Sequence, residues 1–127
     1  MQYIAYVLRN RCNIKAIYTS PFLRCVETSK IINKKLKVQI IKDDRFNEFK
    51  SIKNESWINL QTRVRNAIYD IVCKYKDNDS VICVTSGVNI SAFISLAYKL
   101  QPSEETPFLG VPSCSIISFD ITQENFK

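Results

Sequence analysis

The sequence predicts an α/β domain, a three-layer α/β/α sandwich around a largely parallel sheet. Three observations carry this. Short apolar runs rich in β-branched residues alternate with longer segments whose apolar residues recur at helical spacing. Residues 80–85, Ser-Val-Ile-Cys-Val-Thr, form a continuous apolar run of the kind buried on both faces in a parallel sheet. With only two glycines and four prolines in 127 residues, the chain has no flexible linker, repeat or low-complexity stretch, so one domain spans 1–127.

Taken in order, Tyr3, Ile4, Val7 and Leu8 place a helix over 2–11. Residues 14–19 read as a short buried strand. Ser20 and Pro21 open the next helix, Ser20 as its cap and proline in its first turn. Phe22, Cys25, Val26, Ser29, Ile32 and Leu36 supply its inward face. A second strand covers 38–42 and a polar loop 43–54. Trp57, Leu60, Val64, Ile68, Ile71 and Tyr75 define a long helix over about 55–76, with Trp57 in the core, ended by Asp77-Asn78-Asp79. After the strand at 80–85, Gly87 leads into a helix that runs to Leu100 with Ile90, Phe93, Ile94 and Ala97 inward. Pro102, Pro107 and Pro112 break up the next stretch, and 114–122 form a final strand. Ligands of such sheets lie beyond the carboxyl ends of the strands. That directs attention to Thr19-Ser20, the loop from Asp44 to Glu48, and Thr85-Ser86-Gly87, which should converge on one crevice.

Composition removes several chemistries. Histidine is absent, so the chain holds no Ser–His or Cys–His dyad and no imidazole to bind a metal or accept a phosphoryl group. The net charge is +6, with the densest run at Lys30, Lys34, Lys35 and Lys37. That run lacks aromatic or polar base readers, so it reads as a solvated helix end and no nucleic-acid partner is expected. Five cysteines occur, none spaced as Cys-x-x-Cys; Cys25, Cys83 and Cys114 read as buried thiols of a reducing cytoplasm, and neither metal nor cofactor is expected. No apolar run approaches the length of a membrane span, so no membrane partner is expected. The start lacks a basic n-region and a cleavage site, so a signal peptide is not expected there. The abundance of Ile, Lys and Asn fits an AT-rich, bacterial source.

Four segments then resemble one family. Ser20-Pro21-Phe22-Leu23-Arg24-Cys25-Val26-Glu27-Thr28 is similar to the S-P-x-x-R-x-x-x-T segment of the histidine phosphatase (phosphoglycerate mutase-like) superfamily. Asp44-Arg45-Phe46-Asn47-Glu48 resembles its D-x-R-L-x-E element, one residue out of step. Arg63-Val64 matches its R-V helix, and residues 81–87 resemble V-x-x-V-S-H-G. The resemblance implies a phosphoglycerate mutase-like fold in which the first, central strand and its R-H-G motif are missing. It also places Ser86 where a second catalytic histidine belongs.

Of the family's two arginines and two histidines, the resemblance leaves Arg24 alone, with Glu48 at the former proton donor. The expected consequence is a degenerate, catalytically inactive protein with no catalytic residue and residual anion or phosphate binding at Arg24, Ser20, Ser86 and Gly87. For each residue a plainer role stands beside the functional one. Arg24 either contacts an anion or is an ordinary surface arginine. Glu48 pairs with Arg24 or is solvated. Ser86 and Gly87 either attract an anion or simply cap a helix. The expected partner is a phosphorylated small molecule or inorganic anion. The missing strand would leave 80–85 with an exposed edge, to be covered by the last strand or by a second copy in a homodimer. The alternatives are an interaction module using that edge, or a phosphatase acting on small phosphoesters if the missing strand is supplied. Ser86 argues against the latter.

Overall fold

The computed structural model describes residues 13–48, 54–99, 116–118 and 120–121. The chain divides into two compact units. One takes in the chain as far as Asn47 together with Tyr75–Thr85; the other takes in Glu48–Lys74 and everything from Ser86 onward.

The first unit holds a parallel sheet of three strands: β1 (Ile14–Thr19), β2 (Gln39–Lys42) and β3 (Ser80–Val84), in the order β2-β1-β3. The middle strand, β1, buries Ala16, Ile17, Tyr18 and Thr19 in succession, so both of its faces are covered. Helix α1 (Leu23–Leu36) connects β1 to β2 and packs on the sheet. Its buried residues are Cys25, Val26, Ser29 and Ile32, as the helical spacing predicts. Ile17 and Ile32 centre the core, with Leu36, Val38, Ile40, Ile82 and Val84 packed around them.

Several boundaries differ from the expected ones. Helix α1 starts at Leu23, two residues beyond Pro21. Ser20 does not cap it: its Oγ accepts from the Phe22 N–H at 3.3 Å, and Phe22 holds the N-cap position without a side-chain bond. Strand β2 begins at Gln39 because the backbone of Val38 is already engaged. The Asn33 amide clasps it, Nδ2 donating to the Val38 carbonyl and Oδ1 accepting from the Val38 N–H, both at 2.8 Å. Strand β3 stops at Val84. The polar loop contains a 3₁₀ turn, Asp44–Phe46, which buries Phe46.

The second unit holds α2 (Trp57–Lys74) and α3 (Gly87–Lys99), packed against each other. Leu60, Val64, Ile68 and Ile71 are buried along α2, as expected. Trp57 is only half-buried at its first turn. Tyr75 lies beyond its end, in the first unit, where its hydroxyl meets that of Tyr18 at 3.1 Å.

On α3 the inward face is not the predicted one. Ile90, Phe93 and Ile94 are half-buried, whereas Asn89, Ser91, Ala92, Ser95 and Leu96 are the buried residues. Gln61 on α2 explains the choice: its Nε2 donates to Ser95 Oγ at 3.0 Å, and that hydroxyl donates to the Ala92 carbonyl at 2.8 Å. A helix apolar nearly all round leaves its facing undecided, and here small and polar residues set it.

The helix expected over 2–11 lies outside the described residues, as do most of 114–122 and the side chain of Ala97. Where that final stretch is described, at 116–118 and 120–121, it is not a strand, and Ile116 and Ile117 are exposed. Among the described residues β3 pairs on one side only.

Lys37 closes α1 in the left-handed region, φ 55° and ψ 47°, its N–H donating to the Asn33 carbonyl. A β-carbon is disfavoured there. Lys37→Gly should therefore raise the unfolding free energy by about 1 kcal/mol, read as a higher urea midpoint at unchanged slope.

Candidate functional site

In the first unit the exits of the three strands meet, as their order in the sequence predicts. A single peptide group joins them. The Thr19 carbonyl accepts from the Asp43 N–H at 3.0 Å, and the Ser20 N–H donates to the Val84 carbonyl at 2.9 Å. Side chains reinforce the meeting point. Ser20 Oγ donates to Asn47 Oδ1 at 3.2 Å, Thr85 Oγ1 donates to the Phe46 carbonyl at 2.6 Å, and Thr19 Oγ1 donates to the Ser20 carbonyl. Thr19 and Ser20 are fully buried.

Asp43 and Arg45 fix the loop. Arg45 Nε and Nη2 contact the two carboxylate oxygens at 3.1 and 2.8 Å, while the Arg45 N–H donates to Asp43 Oδ1 at 2.9 Å. Burial alone would raise the Asp43 pKa. The side-chain and backbone hydrogen bonds from Arg45, with its charge, outweigh it and hold the carboxyl below its ordinary value. The paired carboxylate is thus Asp43, one residue ahead of the predicted Asp44. Counting from Asp43 also brings Arg45 and Glu48 into the D-x-R-x-x-E spacing without the slip. That exact spacing was the signal in the sequence that could have singled out Asp43.

Arg24 projects from the first turn of α1 and is exposed, with its guanidinium carbon 5.4 Å from the centre of the Phe22 ring. The turn has no acidic residue and no side-chain cap. Positive charge at a helix start opposes the macrodipole, and an anion there would relieve both. Thr28 bonds locally, donating to the Arg24 carbonyl at 2.9 Å.

The other predicted site residues lie in the second unit. Glu48 is half-buried. Gly87 is the first residue of α3, whose first turn likewise lacks an acid, and the Ser86 carbonyl accepts from the Ile90 N–H at 3.1 Å. Ser86 Oγ is buried with no hydrogen-bond partner among the described residues. The Arg63 of the R-V segment is bound by Glu55: Nη2 donates to Oε1 at 2.9 Å, and Nε to the other carboxylate oxygen. At 13% and 4% side-chain exposure this pair is nearly dry, so Arg63 is committed to holding the helix start.

No curated protein matches the chain. The family model described as histidine phosphatase superfamily (branch 1) matches residues 2–53 and 49–127. The chain belongs to the histidine phosphatase superfamily. Among solved structures, Bacillus stearothermophilus YhfR is similar at a TM-score of 0.65 and 20% identity, over 84% of this chain and 68% of that one. At that identity the likeness speaks for the fold alone. This superfamily member shares the mixed α/β architecture with a parallel sheet. No described helix is long and apolar enough to cross a membrane, and no described His, Cys, Asp and Glu residues cluster to hold a metal.

Two predictions follow from the site's ionisable groups. Asp43 contributes stability that is full above its ordinary value of 3.8 and is lost as pH falls through its lower folded value. Asp43→Asn should flatten that acidic limb of the stability curve measured by urea titration. Cys83 is pushed up to about 12 by desolvation and by Asp43. At about pH 8 iodoacetamide should therefore alkylate exposed Cys73 while sparing Cys83 in peptide maps of the folded protein.

Proposed function

We propose that this chain is a superfamily member without phosphohistidine chemistry, which retains anion binding at the start of α1. The observation that carries the reading is the replacement at Ser86. The family motif has a histidine there, this sequence has none, and the serine hydroxyl is buried with no hydrogen-bond partner among the described residues. A covalent phosphoryl route requires an activated nucleophile, and an unassisted hydroxyl is a poor one.

Residual recognition rests on Arg24. An arginine in an uncapped, acid-free first turn can offer guanidinium and backbone N–H donors together to phosphate or sulfate. Gly87 and Ser86 provide a second helix start of the same kind. Glu48 stands at the motif's acid position as a former proton donor. The ligand class is an inorganic anion or a phosphorylated small molecule. The free thiols Cys25, Cys73 and Cys83 support a reducing, cytoplasmic setting.

A second reading takes support from β3, which pairs on one side only among the described residues: the sheet edge would be an interaction surface, in a homodimer or with another protein. Light scattering on the purified chain distinguishes it, since a strict monomer would exclude the homodimer.

The decisive measurement is turnover of p-nitrophenyl phosphate and small phosphoesters. The expected result is hydrolysis at background. Hydrolysis that Arg24→Ala abolishes would overturn the proposal. Sulfate titrated against the backbone amide resonances should perturb residues 22–26 with millimolar affinity, weakened about tenfold or more in Arg24→Ala.

A further inference from the structure

Folding sorts the residues of α1 in a way their order in the sequence conceals. The inner face, Cys25, Val26, Ser29 and Ile32, is spent on the sheet. The outer face carries Lys30, Lys34 and Lys35, with Lys37 just past the end, all exposed. None of these lysines forms an ion pair among the described residues, and Glu27 is the one acid on the helix.

Two large apolar side chains share this face. Leu23 is 71% exposed and Ile31 is 38% exposed. Leu23, Glu27, Lys30, Ile31 and Lys34 recur at helical spacing, so they form one stripe about 16 Å long at 1.5 Å per residue, with Glu27 as its single acid among the basic and apolar residues. Ile31 is neighboured by Lys30 and by Lys34 and Lys35 one turn on.

We infer that this face of α1 docks on an anionic lipid surface, lying in the plane of the interface. The chemistry selects that occupant. Unpaired lysines are attracted to acidic headgroups, while Leu23 and Ile31 reach the acyl boundary, the combination used by interfacial helices. Nucleic acid fits less well. The amide nearest the lysines, on Asn33, is spent on Val38 at both its atoms, and no aromatic ring stands among the lysines to stack a base. The contact is peripheral, so it needs no membrane-spanning helix.

The test is co-sedimentation of the full chain with vesicles of phosphatidylcholine alone and with vesicles enriched in phosphatidylserine. Binding to the acidic vesicles alone, abolished by high salt, is expected. Lys34→Glu combined with Lys35→Glu should weaken it at least about tenfold. Ile31→Ser should weaken it several-fold with the salt dependence intact, and circular dichroism should show both variants folded. No binding to acidic vesicles at low salt overturns the inference, as does equal binding to the neutral ones. Binding to polyglutamate or to single-stranded RNA as strong as to the acidic vesicles also overturns it, in favour of a protein or nucleic-acid partner.

Discussion

The peptide group between Thr19 and Ser20 is the point on which the sheet's working end depends. Its carbonyl takes the first residue after β2 and its N–H takes the last residue of β3. One planar unit therefore fixes where both neighbouring strands stop relative to the middle strand. Because Thr19 and Ser20 are buried, water does not compete for these bonds. The turn into α1, and with it the position of Arg24 in the first turn, follows directly from that anchorage. So does the loop from Asp43 to Asn47, which the Arg45 guanidinium and the Ser20 hydroxyl then tighten.

The backbone character of this junction bears on the functional reading. Imidazoles can be lost from a site one substitution at a time, whereas a peptide hydrogen bond survives any side-chain change that keeps the fold. A scaffold tied in this way keeps its strand exits in register whatever side chains stand around them. That is how a chain with no histidine can still match its family along its length. The second unit shows the same economy, with Arg63 held by Glu55 and Gln61 by Ser95 independently of any catalytic group.

The sequence made the parallel strands, the inward face of α1 and the buried stripe of α2 legible, because apolar periodicity there is regular and each element has one face to hide. It was least informative where polar side chains bond to backbone. Asn33 shortens β2, Ser20 bonds Phe22 and Asn47 in place of capping α1, and Asp43 takes the role expected near Asp44. Those choices depend on which strand ends lie side by side, and residue spacing does not contain that. On α3 the difficulty was of another kind: Ile90, Phe93 and Ile94 made a plausible apolar face, and only Gln61 on the neighbouring helix shows why Ser95 and Ala92 turn inward. The outward face of α1 was visible as a lysine run, but its pairing with Leu23 and Ile31 became apparent through their exposure.

The Asn33 clasp carries a consequence for the lifetime of the protein in solution. Its amide does two things at once, giving a proton to the Val38 carbonyl and receiving one from the Val38 N–H. Hydrolysis of that amide to a carboxylate would leave the accepting oxygen in place but set a second, charged oxygen against the carbonyl. One bond would become a repulsion, at the two-residue crossover that feeds β2 into the sheet. Chemical ageing at a single side chain would thus loosen the entry of an entire strand, without any change in the gene.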